Sequence, residues 1–498
     1  MRTGRIAVIG AGIAGLTAAI DLARRGFAVT LLERAGTPGG KMREVAVAGA
    51  QLDAGPTVFT LRDVFEQLYA DAGSSLSAQL KLLPVSVLAR HAWDETEHLD
   101  LHANLADSAA AIGSFAGAAE AQGFLAFAAQ AQRIYRTLNT SFMRAARPNP
   151  IELSRRIGLA NIADLLNIQP FTNMYKGISR YFADPRLRQL FARYATYCGS
   201  SPFDSPATLM LIAHVEQTGV WTIEGGMHRL AQSLAQLAAT LGAELRYDTA
   251  VTSVELAHGR VAAVHTAAGE RLAVDALVCN ADNNALASGL FGTAVSAAVR
   301  PTRQAARSLS AVTWNVVART EGFPLAHHSV FFGDDYASEF DDVFRHRRLP
   351  ARPTVYVCAQ DRGDASPRPR EAERLLCLVN APAIGDTHQF TTAEIQQCEK
   401  NAFDRLERCG LRVLRSPGTS CVTTPSDFNR LFPATGGALY GPASHGWRSS
   451  FTRPGSRSRI PGLYLAGGST HPGPGVPMAA LSGRLAAACL AADYASIA

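Results

Sequence analysis

The chain has 498 residues, 47% of them hydrophobic and 18% charged, with a formal net charge of +6. That length buries a large core, and the composition excludes a disordered or fibrous protein. Basic residues are scattered without a long run, which argues against a nucleic-acid partner.

Residues 5–34 predict an apolar strand, a glycine turn, an Ala/Leu-rich helix stopped at Gly26, and a second buried strand ending at Glu33. This is a βαβ unit. Helical spacing recurs over 62–72 and 103–140, and 150–240 reads as mostly helical, broken by Pro170, Pro185, Pro202 and Pro206. After Ala243 the period shortens. Strands are predicted at Glu244–Tyr247, Val251–Leu256, Arg260–Thr266 and Arg271–Cys279, with turns at His258-Gly259 and Gly269-Glu270. Further strands are predicted over 310–320, 354–359 and 374–380, an exposed Arg/Pro/Asp-rich loop over 361–371, and a helix near 391–408. A strand at Gly462–Ala466, a glycine-rich loop and a helix from Val476 to Tyr494 end the chain.

Nucleotide-binding signals thus sit at both ends and in the middle. The predicted fold is α/β: a Rossmann-like domain assembled from 1–75, 221–300 and 431–498. A mainly helical segment, 76–220, and a sheet segment, 301–430, form an inserted α+β substrate domain. Eight dispersed cysteines lack any Cys-x-x-Cys pair, so neither a metal site nor disulfides are expected, and the setting reads as cytoplasmic. The strand-like run at Ile6–Ile9 leaves no room for a cleavable leader. The longest mainly apolar stretch, 285–299, is too short to span a bilayer, so no transmembrane helix is expected.

Gly10-x-Gly12-x-x-Gly15 lies between strand and helix. Gly10 permits the tight turn, Gly12 lets backbone approach a pyrophosphate, and Gly15 lets helix and strand pack closely. Glu33, closing the second strand, is placed to accept ribose hydroxyls. Pro38-Gly39-Gly40-Lys41-Met42-Arg43 follows, and its cations are expected beside the same pyrophosphate. Asp53-Ala54-Gly55-Pro56-Thr57 is a turn that either passes a ring system or simply caps itself through Asp53. Gly467-Gly468-Ser469-Thr470-His471 runs to a helix that opens at Val476-Pro477-Met478. That second helix N-terminus suits negative charge on a reduced ring. His471, set among glycines and prolines, reads as a loop-shaping rather than a catalytic histidine.

Together, Gly10–Arg43, Asp53–Val58 and Gly462–Gly483 resemble the FAD-dependent carotenoid desaturases of the phytoene desaturase type. Ser201-Pro202-Phe203, Gly219-Val220-Trp221 with Gly225-Gly226, and Asn280-Ala281-Asp282 resemble that family's central segments. Gly39-Gly40-Lys41, Ile223-Glu224 and Val476–Gly483 depart from the phytoene pattern towards the 1-hydroxycarotenoid 3,4-desaturases of purple phototrophs. The resemblance implies FAD and an acyclic 1-hydroxycarotenoid gaining a C3–C4 double bond; with no acid–base triad or metal cluster in the sequence, the expected step is hydride transfer to the flavin with loss of a neighbouring proton. It implies oxygen or a quinone as electron acceptor, and peripheral attachment to the inner or intracytoplasmic membrane. Phytoene or neurosporene desaturation, carotene isomerisation, protoporphyrinogen oxidation and a flavin-free prenyl-lipid escort remain as alternatives. The expected FAD contacts are Gly10, Gly12, Ala14, Gly15, Glu33, Arg34, Gly40, Lys41, Met42, Arg43, Gly55, Pro56, Thr57, Val251, Gly467, Gly468, Val476, Pro477 and Met478, with Val251 touching the adenine. Thr222 and Glu224 are the candidate partners of the substrate hydroxyl, with Glu224 read alternatively as a solvated or helix-capping carboxylate. Residues 155–182, with Ile157, Leu159, Ile162, Leu165, Leu166, Ile168 and Phe171, are read either as a membrane-facing surface or as a helix packed on the core.

Overall fold

The computed structural model describes residues 4–158, 168–363, 369 and 371–496. Five parallel strands form one sheet, in the order Leu463–Leu465, Ala276–Cys279, Arg5–Ile9, Ala28–Leu32, Glu244–Arg246. The first three are buried almost throughout, as continuous apolar runs require when both faces are covered. The strand predicted at Glu244–Tyr247 therefore joins the edge of this sheet, not the meander. The single strand predicted over Arg271–Cys279 is two. Arg271–Ala273 closes the antiparallel meander with Val251–Ala257 and Arg260–Thr266, while Ala276–Cys279 enters the parallel sheet. Asp275 makes the change of sheet, accepting the Arg5 N–H at 2.8 Å.

Helix Ile13–Ala23 is buried at every position, because the last helix, Val476–Ala495, lies along it. Gly483 permits this approach: a Cβ there would fall 2.1 Å from the Ala14 carbonyl oxygen. Thr17 Oγ1 donates to Ala480 O at 3.1 Å, and Arg484 pairs with Asp21 and Asp71. By length and composition alone this 20-residue helix is apolar enough to cross a bilayer, longer than the apolar stretch 285–299. Its burial against the first helix accounts for the same composition.

A second sheet has eight strands. Ser310–Gly322 pairs with Glu373–Ala381, Leu411–Leu414 and Ser420–Thr423. Val355–Ala359, His328–Phe331, Val87–Ala92 and His98–His102 continue it outward. The last two come from the segment expected to be mainly helical. Arg90, His91 and Asp100 hide their strand character, since Arg90 pairs across the hairpin with Asp100 at 2.6 Å and His91 is buried. The hairpin Glu44–Val47 with Ala50–Asp53 was likewise unexpected. Of the loop at 361–371, residues 364–368 and 370 lie outside the described residues.

Helices Leu105–Ala116, Ala118–Leu138, Pro150–Ile157, Met174–Ile178 and Pro185–Ala192 pack beside this sheet. Asn104, Asn149, Asn173 and Asp184 cap four of them through side-chain oxygens. Phe124, Phe127, Phe182 and Phe191 form their fully buried aromatic core.

Candidate active site

The site begins at the turn after the first strand. Gly10 has φ +94°, and a Cβ on Gly15 would lie 2.0 Å from the Gly10 carbonyl oxygen. Both positions therefore require glycine. Gly12 starts the helix without a side-chain cap, so the first-turn N–H groups beyond it remain for an anion. Ala14, inside that first turn, is buried against the last helix. Gly39 N–H donates to Ala11 O at 2.8 Å, and a Cβ on Gly40 would sit 3.3 Å from Gly12 Cα. Backbone thus meets backbone, and Met42 is buried beneath.

Glu33 is buried. One carboxylate oxygen accepts Ala11 N–H at 2.7 Å and the other accepts Ala35 N–H at 2.8 Å. Remaining lone pairs are open to hydroxyl groups. The meander starts alongside, because Thr249 N–H donates to Glu33 O at 2.8 Å and Val251 opens the next strand. Arg34 turns away and donates to the carbonyls of Arg430 and Leu431.

The C-terminal loop closes the crib. Asn280 Nδ2 donates to Gly10 O at 3.4 Å, and its Oδ1 would lie 3.1 Å from a Cβ on Gly467. Asn283 holds Ser469 O at 2.8 Å, and Ser482 Oγ accepts Gly467 N–H at 3.1 Å. Arg453 was not anticipated. It is buried and donates to Gly468 O, Pro442 O and Tyr440 O at 2.7, 2.6 and 3.2 Å. Burial pushes its pKa down to about 10. Only its position among glycines hints at this role. His471 Nε2 is shared by Phe142 O and Ala145 O at 3.0 and 2.9 Å, and burial lowers its pKa to about 4. It is a loop-shaping neutral histidine. Val476 and Pro477 are buried in the helix's first turn, with Met478 half-buried.

Several expected residues go elsewhere. Lys41 is half-buried, with its ammonium on Leu439 O at 2.6 Å and over the Phe432 ring. Burial lowers its pKa, with Asp282 opposing. Arg43 donates to Thr423 Oγ1 at 3.1 Å and covers Phe428. Neither cation is directed at the phosphate crib; both clamp the C-terminal and second-sheet segments onto it, because those segments offer unpaired carbonyl, hydroxyl and ring acceptors. Glu224 is 60% exposed and paired with Lys81 at 2.7 Å. It is a solvated carboxylate, the alternative reading of this residue, and not a partner for a buried hydroxyl. Thr222 stands beside it on the short strand Trp221–Ile223, paired with Leu83 and half-buried.

Asp53 reaches out of its own turn. It accepts Met227 N–H at 2.7 Å and His228 N–H at 3.1 Å, capping helix His228–Thr240. Burial raises its pKa and these N–H groups oppose the rise. Gly55 rests on the Gly39–Met42 loop, where a Cβ would lie 2.0 Å from Lys41 O. The chain continues through half-buried Pro56 to Thr57, whose Oγ1 lies 2.7 Å from Tyr356 OH. Tyr356 OH is 2.7 Å from His328 Nδ1. His327 Nε2 and Cys358 Sγ, 3.6 Å apart, complete a His-His-Cys cluster that dispersed spacing had concealed.

A bare backbone cradle, an uncapped helix N-terminus and a buried ribose-facing carboxylate fit the pyrophosphate and ribose of FAD. Gly467–Gly468 and Val476–Met478 offer an apolar wall for its ring. The fold and site thus define a dinucleotide-dependent flavoprotein oxidoreductase with a discontinuous binding domain. Residues 13–491 match the family described as flavin containing amine oxidoreductase. The chain is 55% identical to a hydroxyneurosporene desaturase of Rubrivivax gelatinosus, over 99% of this chain and 94% of that one. It is 43% identical to a hydroxyneurosporene desaturase of Cereibacter sphaeroides, covering 99% and 98%. An oxidoreductase from Methanosarcina mazei shares the fold, with a TM-score of 0.58, 15% identity and coverage of 96% and 99%. The chain belongs to the flavin-containing amine oxidoreductase family, in its carotenoid desaturase branch, and is an FAD-dependent oxidoreductase acting on CH–CH bonds.

Proposed function

We propose that the protein introduces the C3–C4 double bond into acyclic 1-hydroxycarotenoids of the hydroxyneurosporene type. The observation that carries this reading is 55% identity to a hydroxyneurosporene desaturase across 99% of the chain. FAD, when bound, would accept a hydride from an allylic carbon while the neighbouring carbon releases a proton to solvent, with oxygen or a quinone as the final oxidant. The chain's own residues hold, orient and exclude water. Gly10, Gly12, Gly15 and Gly40 would admit the phosphates, Glu33 the ribose, and the loop pinned by Arg453 and Asn283 the ring. Fixing a carbon at that ring is the protein's main catalytic contribution.

The substrate dissolves in lipid, so this reading includes peripheral attachment to the cytoplasmic face of a membrane. A surface suited to that carries Phe171, 77% exposed, and Trp447, 38% exposed, with rings 5.5 Å apart. Ile151 is 67% exposed, and Arg448 stacks on Trp447. Aromatic rings beside arginines suit the interfacial zone. Of the segment 155–182, Leu159, Ile162, Leu165 and Leu166 lie outside the described residues, Ile157 is half-buried and Ile168 is buried. Phe171→Ser with Trp447→Ser is expected to reduce flotation with liposomes several-fold; undiminished flotation of the folded variant removes this surface from the reading.

The function is tested with FAD-loaded protein and liposomes carrying either phytoene or 1-hydroxyneurosporene. The expected result is a red-shifted product lighter by two hydrogens from the hydroxylated carotenoid only. Conversion of phytoene instead would reassign the protein to the early desaturases.

A further inference from the structure

C3–C4 desaturation of a 1-hydroxycarotenoid sets a distance. Three bonds separate the hydroxyl oxygen from C3, so at about 1.5 Å per bond they lie within about 4 Å of each other. The group that binds the hydroxyl therefore sits beside the flavin-facing loops, not at a remote tunnel end.

One buried polar cluster begins at the turn expected to pass the ring. Thr57 leads into it directly from Gly55-Pro56, and passes it on to Tyr356 and His328 through two contacts of 2.7 Å. His328 is 3% exposed, and its Nε2 has no hydrogen-bond partner. Arg193 lies between the rings of Tyr197 and Tyr356, at 5.4 and 5.3 Å, and donates to Tyr197 OH at 3.3 Å. Buried Glu216 accepts Tyr194 OH at 2.6 Å. His328, Tyr356, Arg193, Tyr197 and Glu216, with Val220, border a small cavity with room for about one water-sized group.

We propose that the hydroxyl of the carotenoid enters this cavity and that His328 Nε2 is its hydrogen-bond partner. The inference rests on the hydroxycarotenoid reading above. A buried hydroxyl without a partner is costly, and so is a buried ring nitrogen without one; the pair removes both costs. Burial, with His327 and Arg193 nearby, keeps the imidazole neutral. Neutral imidazole has one donor and one acceptor nitrogen, and a hydroxyl satisfies either tautomer. A hydrocarbon end satisfies neither, so the cavity discriminates against it. A metal on His327, His328 and Cys358 would compete for the same imidazole. The Arg193 charge opposes a cation there, and burial pushes the Cys358 thiol up, away from the thiolate a metal needs.

The experiment uses FAD-loaded wild type, His328→Leu, His328→Gln and Tyr356→Phe in liposomes carrying equal 1-hydroxyneurosporene and neurosporene. Products are counted by mass, and flavin absorbance and Tm report folding. The preference for the hydroxylated carotenoid is expected to fall roughly ten- to a hundredfold in His328→Leu, with partial recovery in His328→Gln. Tyr356→Phe, which frees Nδ1, is expected to lose several-fold and serves if the leucine variant does not fold. A folded His328→Leu that keeps its preference, or slows equally on both carotenoids, overturns the inference alone. A wild type without preference overturns the function and this inference together. One metal ion per wild-type chain, lost in His328→Leu, also overturns it by assigning the nitrogen to the metal.

Discussion

The phosphate crib and the polar cluster of the second sheet reach specificity by opposite means. The crib is made by leaving side chains out, so that Gly12 and Gly40 bring backbone within 3.3 Å of a would-be Cβ. The cluster is made by converging side chains, since Thr57 and Tyr356 meet across 299 residues of chain. The crib is therefore broken by an added methyl group, and the cluster by a removed polar atom. A site for a constant, charged ligand tolerates no bulk, whereas a site for one hydroxyl on a long hydrocarbon depends on a single well-placed nitrogen.

The largest effect is expected in the crib. Gly15→Ala places a methyl 2.0 Å from Gly10 O, and the protein should purify without flavin absorbance. Yellow, fully loaded variant protein would show that the turn yields more than its geometry allows.

Acid comes next, and separates the two regions. His91 and His471 have pKa values lowered to about 3 and about 4, and His328 lies well below 6.5, each by burial first. A depressed histidine stabilises the fold above its unfolded pKa of 6.5. That stability is lost as pH falls towards the folded value, because the unfolded chain binds more protons. Each histidine should contribute about 1.4 kcal/mol per pH unit below that point. Urea unfolding at descending pH measures the slope. His91→Phe should flatten it on the second-sheet side, and His471→Asn on the crib side. An unchanged slope in both would place the acid sensitivity elsewhere.

Arg453→Met should weaken FAD binding about tenfold by releasing Gly468, with the parallel sheet intact by circular dichroism. Full affinity would show that Asn283 and Ser482 suffice to hold the loop. The smallest effect belongs to Glu224→Gln, an exposed pair with Lys81, which should change stability by less than about 0.5 kcal/mol and leave turnover unaltered. A large loss of turnover there would return Glu224 to the substrate path.

The nucleotide-binding region was readable because its determinants are local. Gly10 and Gly15 meet within one turn, and the register of two neighbouring parallel strands brings Glu33 to Ala11. The second-sheet strands Val87–Ala92 and His98–His102 were not readable, because their charged and imidazole residues gain partners across the hairpin and from the distant Phe323-Pro324 segment. Asp53 looked like a cap of its own turn and caps a helix 174 residues away instead.

The sequence by itself determined the βαβ unit, the glycine positions, the cofactor class and the family, since backbone sterics and short-range periodicity act within a few residues of each other. Only the tertiary structure decided where long side chains end. Lys41 and Arg43 follow glycines that face the crib, yet a flexible cation goes to whichever unpaired acceptors the fold brings near, and those are on Leu439 and Thr423. His328 likewise owes its unpartnered nitrogen to strands that meet only in the folded sheet.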